Sequence, residues 1–314
     1  MSCLNIRGLL VAALLVVLMT PAVRAQEAPA PVIAATVNGL PISKAELDRA
    51  LVLVVKERQL TAAQKENLKK EVLSHAVDRR LVLHWLTESK QAASEQDVDL
   101  AHARLLKKLE AESITLPKFL EMQGQTAAEF RDQQHWELSW HRFLERYLTA
   151  ANLQKFFEKN RRDFDGTELH IAHVLLTAPK EAKPVDWEQL NKQASDIRQQ
   201  VVDKKLTFAE AAKQHSNSPT AKAGGDIGWI KRHEPMPESF SAAAFQLQPG
   251  ELSPPVETTF GVHLITCLEV KSGTRTWQDA ADELRPAVIH YLFRWIADKE
   301  RATAKLEYTN HWPH

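Results

Sequence analysis

Two histidines far apart in the chain sit in closely similar apolar settings. His173 lies in Glu168-Leu-His-Ile-Ala-His-Val-Leu-Leu176, and His263 lies in Thr258-Thr-Phe-Gly-Val-His-Leu-Ile-Thr-Cys-Leu-Glu-Val270. Both runs read as strands, and side chains two apart on a strand share a face. His173 therefore points with Leu169, Ile171 and Leu175, and His263 with Ile265 and Cys267. One imidazole among apolar neighbours is ordinarily a hydrogen-bonded core residue. Two of them, at opposite ends of one compact stretch, must find partners for four ring nitrogens. Placed side by side in a small sheet, with the hydroxyls of Ser218 and Thr258 nearby, they satisfy one another.

Other chemistries open to these residue types find less support. His170 and His173 are three apart on a strand and face opposite sides, which spoils them as a chelating pair, and no His-Glu-x-x-His motif supplies a zinc site. Ser218 lacks the Gly-x-Ser-x-Gly setting of a hydrolase nucleophile. The Gly224-Gly225 pair is more economically a tight turn than a phosphate cradle. Lys and Arg total 40, as do Asp and Glu, so no basic excess invites nucleic acid or anionic lipid. Of two cysteines, Cys3 lies in an expected leader, leaving Cys267 without an internal disulfide partner.

The elements that must position these residues follow from periodicity. Arg7, the uncharged run Leu9 to Met19 and Val23-Arg-Ala25 read as a secretory signal over residues 1–25, with an uncleaved anchor as the minority reading. No later segment reads as a membrane span. Residues 26–164 read as a helical domain. After a Pro/Ala linker, Ile33 to Val37 is expected as a strand before the Asn38-Gly39 turn. Capping boxes are expected at Ser43–Glu46, Thr61–Gln64 and Thr126–Glu129, and Ser94 caps a helix through Leu109. Phe130, Trp136, Trp140, Phe143, Leu144 and Tyr147 recur at helical spacing and read as core, with a cradle for unfolded polypeptide as their other use. A last short helix spans Asn152 to Asn160, and Asp163 to Gly166 is a turn.

Residues 165–271 read as an α+β unit: strand, a helix from Asp186 to about Lys204, a second from Thr207, the glycine turn Ala223 to Trp229, a third helix from Pro237 to Phe245, and the closing strand. Pro179 to Pro184 is a loop. Residues 272–314 read as a helix opened by Thr276 and Asp279, kinked by Pro286 and running to about Glu307. Its apolar face, Val288, Leu292, Trp295 and Ile296, must return to the helical domain. The tail from Asn310, with two histidines, reads as frayed.

In order, His173-Val-Leu-Leu, Phe208-Ala, Ser216, Gly224-Gly-Asp-Ile-Gly-Trp229, Met236, Phe240, Ala244-Phe245, Leu247, Pro249-Gly-Glu-Leu-Ser253, Pro255-Val256, Thr258, Phe260-Gly261 and His263 resemble the parvulin family of peptidyl-prolyl cis/trans isomerases. The resemblance covers about Leu169 to Val270. The flanking layout resembles exported foldases and periplasmic chaperones more loosely. The resemblance implies catalytic-group roles for His173, Ser218, Thr258 and His263, and a proline site lined by Ile227, Met236, Phe240 and Phe260. It implies no cofactor and no metal. Its implied partners are unfolded or nascent exported polypeptides containing proline, most naturally in the periplasm; oligomeric state is not legible. Ser218 stands where family members place a Cys or an Asp, and His233 where a glycine is common. Phosphate-directed members carry basic residues after the first strand, whereas here Thr177 follows and Glu181 separates Lys180 from Lys183. Two alternatives compete with an active foldase: a holdase with a weak or inactive module, and a dedicated maturation factor.

Overall fold

The structure, a computed structural model, describes residues 31–56, 60–177, 186–233 and 235–314. The expected leader, the Pro179 to Pro184 loop, and Lys180 and Lys183 lie outside the described residues.

Strands β1 (Ile33–Val37) and β2 (Leu40–Ser43) form a hairpin whose turn residues, Asn38 and Gly39, have φ of 51° and 82°. An Asn-Gly pair accepts this left-handed backbone at little cost. Helix α1 (Lys44–Val55) starts at Ser43, whose Oγ accepts the Glu46 N–H at 3.0 Å. The expected reciprocal box does not close. The Glu46 carboxylate turns instead to Arg79 at 2.7 Å and Arg80 at 3.1 Å on α2 (Ala62–Glu88), because a guanidinium is a stronger partner for a carboxylate than a neutral backbone amide.

The boxes at Thr61 and Thr126 are both closed, opening α2 and α5 (Ala127–Tyr147). Ser94 opens α3 (Glu95–Ala111), its box completed by Asp97. Between α3 and α5 lies α4 (Leu116–Gln123), unforeseen in the sequence: Thr115 caps it, Pro117 sits in its first turn, and Gly124 ends it at φ 61°. Helix α6 (Ala150–Lys159) begins two residues before the expected Asn152 because Thr149 supplies its cap, and α7 (Arg161–Phe164) follows in place of part of the expected turn.

From there the chain builds β3 (Glu168–Leu176), α8 (Trp187–Val202), α9 (Phe208–His215), β4 (Asp226–Lys231), α10 (Glu238–Phe245), β5 (Val256–Thr258) and β6 (Gly261–Lys271). The strands form one antiparallel sheet in the order β4-β3-β6-β5. Two expectations change here. Most of the glycine stretch is the edge strand β4, and the closing run is a hairpin, since Thr259 and Phe260 turn between β5 and β6. Leu169, Ile171, Ile265 and Cys267 pack on one face with Phe240 and Phe245 of α10; Val174, Leu176, Val262 and Leu264 pack on the other with α8 and α9. The period-2 assignment of faces holds for both histidine-bearing strands.

Helix α11 (Ala281–Arg301) returns to the helical region, where Leu284, Val288, Leu292 and Ile296 join Leu86 of α2, Phe143 of α5 and Phe157 of α6 in one core. The Thr276–Asp279 hydrogen bonds form, but they close a turn ahead of the helix. The chain then leaves α11 six residues short of Glu307 to make β7 (Leu306–Tyr308), which pairs with β1. Nor is the tail frayed: Trp312 is 4% exposed and its indole N–H donates to the Lys69 carbonyl at 2.9 Å. Asp78 of α2, also buried, takes Arg294 at 2.8 Å and Arg301 at still closer range, fastening α11 to α2.

Candidate functional site

The two strands that carry the imidazoles are neighbours, with His173 opposite Ile265 and Leu175 opposite His263. The histidines are thus one diagonal step apart on the same face. Their ring centroids are 5.4 Å apart and their Nδ1 atoms 3.3 Å apart. His173 Nε2 lies 2.8 Å from Ser218 Oγ, and His263 Nε2 lies 2.8 Å from Thr258 Oγ1. Ser218 Oγ is in turn 3.0 Å from Thr220 Oγ1, while Thr258 Oγ1 accepts the Phe260 N–H at 3.0 Å and faces the Gly261 carbonyl.

This is one continuous hydrogen-bonded chain, and its centre fixes its charge. Only one of two facing Nδ1 atoms can carry a hydrogen, so the two rings cannot both be charged, and with both neutral their tautomers are opposite. Burial without a carboxylate partner acts the same way. Desolvation pushes the His173 pKa down, and burial with the His173 ring alongside pushes His263 down to about 4. The floor of the site presents hydroxyl and N–H dipoles and no net charge across the neutral range.

Local sequence explains how the floor is held. Ser216 Oγ accepts the Leu175 and Ser218 N–H groups at 3.0 and 3.2 Å, pinning the segment after α9 to β3. Gly225, at φ 83°, presses on the His173 carbonyl, and its own carbonyl accepts the His173 N–H at 2.8 Å. A side chain at Gly225 would overlap that carbonyl. Phe240 stands edge-on to both imidazoles, at 5.8 and 5.1 Å.

The four residues expected to line a proline site are placed unequally. Phe240 is 1% exposed and forms the underside of the imidazole pair; Ile227 and Met236 are half-buried beside it; Phe260 is 63% exposed at the tip of the β5–β6 hairpin. Ile227, Met236 and Phe260 therefore offer the accessible apolar surface.

Sequence reasoning gave no role to Thr220 or Ser216. Their signal is the period-2 spacing of hydroxyls at 216, 218 and 220. It weighed the half-buried His170 only as a metal ligand and did not foresee its partners: Nε2 lies 2.8 Å from Asp226 while the ring stacks on Trp229 at 5.4 Å. Among the described residues no cluster of His, Cys, Asp and Glu is arranged to hold a metal, and no helix is long and apolar enough to cross a membrane.

Residues 173–269 match the family described as Rotamase: PPIC-type PPIASE domain. The Chaperone SurA of Aromatoleum aromaticum is 27% identical over 271 residues, covering 83% of this chain and 61% of the relative. The Foldase protein PrsA of Clostridium acetobutylicum is 25% identical over 247 residues, covering 74% of this chain and 70% of that protein. The chain thus spans about three fifths of the SurA relative's length. Among solved structures, the peptidylprolyl isomerase PrsA from Bacillus anthracis aligns with a TM-score of 0.35 at 19% identity, over 73% of this chain and 94% of that one. The chain carries one match to a parvulin-type isomerase module, at residues 173–269, beside a helical region.

Proposed function

We propose that the chain is an exported peptidyl-prolyl cis/trans isomerase and folding chaperone that rotates X-Pro bonds in unfolded periplasmic clients. Rotation requires loss of amide resonance, a barrier of about 18–20 kcal/mol, with no covalent bond made or broken. An enzyme need only hold the twisted form better than either planar form, each ~1.4 kcal/mol of difference giving tenfold in rate. Ile227, Met236 and Phe260 provide an apolar seat for the pyrrolidine ring and strip water from the carbonyl, whose charge separation supports planarity. The hydroxyls of Ser218 and Thr258 meet the carbonyl as it turns, and His173 and His263 hold those hydroxyls in place, with Phe240 beneath them.

The observation that carries this reading is the uncharged chain Thr220–Ser218–His173–His263–Thr258 beside half-buried apolar side chains. Because the floor is neutral, it polarises an amide carbonyl without capturing an ionic ligand. The test is acceleration of cis/trans exchange in proline tetrapeptides, followed without a coupling protease. A purified chain that leaves the exchange rate at its uncatalysed value would sink the isomerase reading.

A holdase is the second reading, supported by a groove of about 670 Å³ among α1, α2, α4 and α5. Its rim exposes Val52, Leu53 and Met122 at 70%, 71% and 65%. Suppression of aggregation of a client that lacks proline, by a chain without exchange activity, would favour it.

A further inference from the structure

The loop between β4 and α10 joins the proline pocket to the helical region. Arg232 and His233 follow β4, Met236 lies three residues further on, and α10 then brings Phe240 under the imidazoles. Arg232 forks onto Glu238 at the start of α10, with Nη2–Oε1 and Nη1–Oε2 distances of 2.6 and 2.8 Å. Its Nε donates to Asp163 of α7 at 3.2 Å. The Arg232 side chain is 12% exposed and that of Asp163 23%, so their bond is sheltered from water, while the Glu238 carboxylate, 72% exposed, meets the fork at the surface. The next residue repeats the connection, as the His233 ring packs on Phe164 at 5.8 Å, and Phe164 belongs to the core that α11 shares with α2. Two consecutive loop residues thus grip two consecutive residues of α7.

We propose that Arg232 is a positioning residue: by binding Asp163 and Glu238 together, it sets Met236 and the start of α10 from the helical region, so that the pocket's shape depends on a contact outside the module. This rests on the isomerase reading for its kinetic consequence and not for its structural one. A planar fork shared between two carboxylates holds direction as well as distance, which an ammonium does not. Lost pocket shape would act on ground-state and transition-state binding alike, raising KM more than it lowers kcat.

The chain has four methionines, Met1, Met19, Met122 and Met236. Methyl-13C-methionine labelling of the full chain therefore gives a sparse spectrum in which Met236→Leu identifies the pocket signal and Met122, on α4, is an internal control. In Asp163→Asn the Met236 methyl resonance is expected to move while that of Met122 stays, and KM for a proline tetrapeptide to rise about three- to tenfold with kcat within about twofold. Glu238→Gln should act in the same direction, and Arg232→Lys, which keeps the charge and loses the fork, should fall between. A stationary Met236 signal in Asp163→Asn and Glu238→Gln overturns the proposal, as does a lowered melting temperature with KM unchanged. If the unaltered chain has no turnover, the isomerase reading fails by itself, and the methyl signal still decides the coupling.

Discussion

Two of the places where the molecule buries polar groups treat them in opposite ways. Asp78, 2% exposed on α2, is paired with Arg294 and Arg301 of α11. His173 and His263, at 8% and 4%, have only each other and two hydroxyls. A charge removed from water must meet an opposite charge or vanish. The first site keeps its charges because it has both signs, and the result is a fastening between helices far apart in sequence. The second has nothing to balance an imidazolium and stays neutral, which in the proposed function lets it meet a carbonyl with dipoles alone. Ion pairing serves where two elements must not separate, and neutrality serves where something passes through.

The largest effect should come from cutting the charged site. Asp78→Ala takes the shared carboxylate from Arg301 and leaves Arg294 with Asp298 alone, at an expected cost of about 3 kcal/mol, because both guanidinium groups keep some contact with water. Urea unfolding would measure it, and hydrogen exchange should show β7 losing protection along with α11. A normal midpoint would mean that the fastening is an ornament of the α2–α11 packing. Next is His173→Ala, which opens a cavity and strands His263 Nδ1, for about 2–3 kcal/mol. Stability should fall at least as far as turnover does. An unchanged melting temperature with turnover abolished would contradict a holding role and make the ring a direct participant.

Acid should then separate the two regions. In the unfolded chain both imidazoles take protons below about pH 6.5, whereas the folded His263 resists until about 4, and His173 is shifted in the same direction. The unfolded state therefore binds more protons in that window, so the imidazoles' contribution to stability falls as pH drops from about 6.5 to 4 and is flat above it, by roughly 3 kcal/mol from His263 alone. Titration of the module's melting, followed at Trp229 on β4, should show this slope. A flat profile between pH 6.5 and 4 would mean that one imidazole is charged in the native state.

The same contrast governs what could be read from sequence. The bounds of β3, the facing of its side chains, and the meeting of His173 with His263 follow from alternation, because a half-buried strand writes its burial into every second residue. Caps at Thr61, Thr126 and Thr207 were equally legible, since each is complete within four residues. What escaped depends on distant partners. Glu46 abandoned its box for arginines more than thirty residues away, β7 exists because β1 offers an edge, and the Trp312 tail is ordered by a carbonyl on α2. The site was legible in its residues and not in its depth. Whether Phe240 or Phe260 meets solvent depends on where the β5–β6 turn falls, and Phe-Gly within a run of β-formers does not announce that turn.

The smallest expected effect tests the comparison most directly. Ser218→Ala removes the hydroxyl that bonds His173 Nε2 and accepts the Thr220 N–H, and should cost about 1 kcal/mol at neutral pH, with the acid slope retained because the imidazoles still lack a counter-charge. Ser218→Asp has a similar volume and the opposite consequence. A carboxylate at that place would favour the imidazolium, raising the His173 pKa toward or above its unfolded value. A group shifted up contributes stability at low pH and loses it as pH rises through its folded pKa. The acid slope should therefore flatten or reverse, turning the neutral site into one of the Asp78 kind. If it does and exchange catalysis is unharmed, neutrality is incidental to the floor. If the slope reverses and catalysis falls, the absence of charge beneath the pocket is what allows it to work.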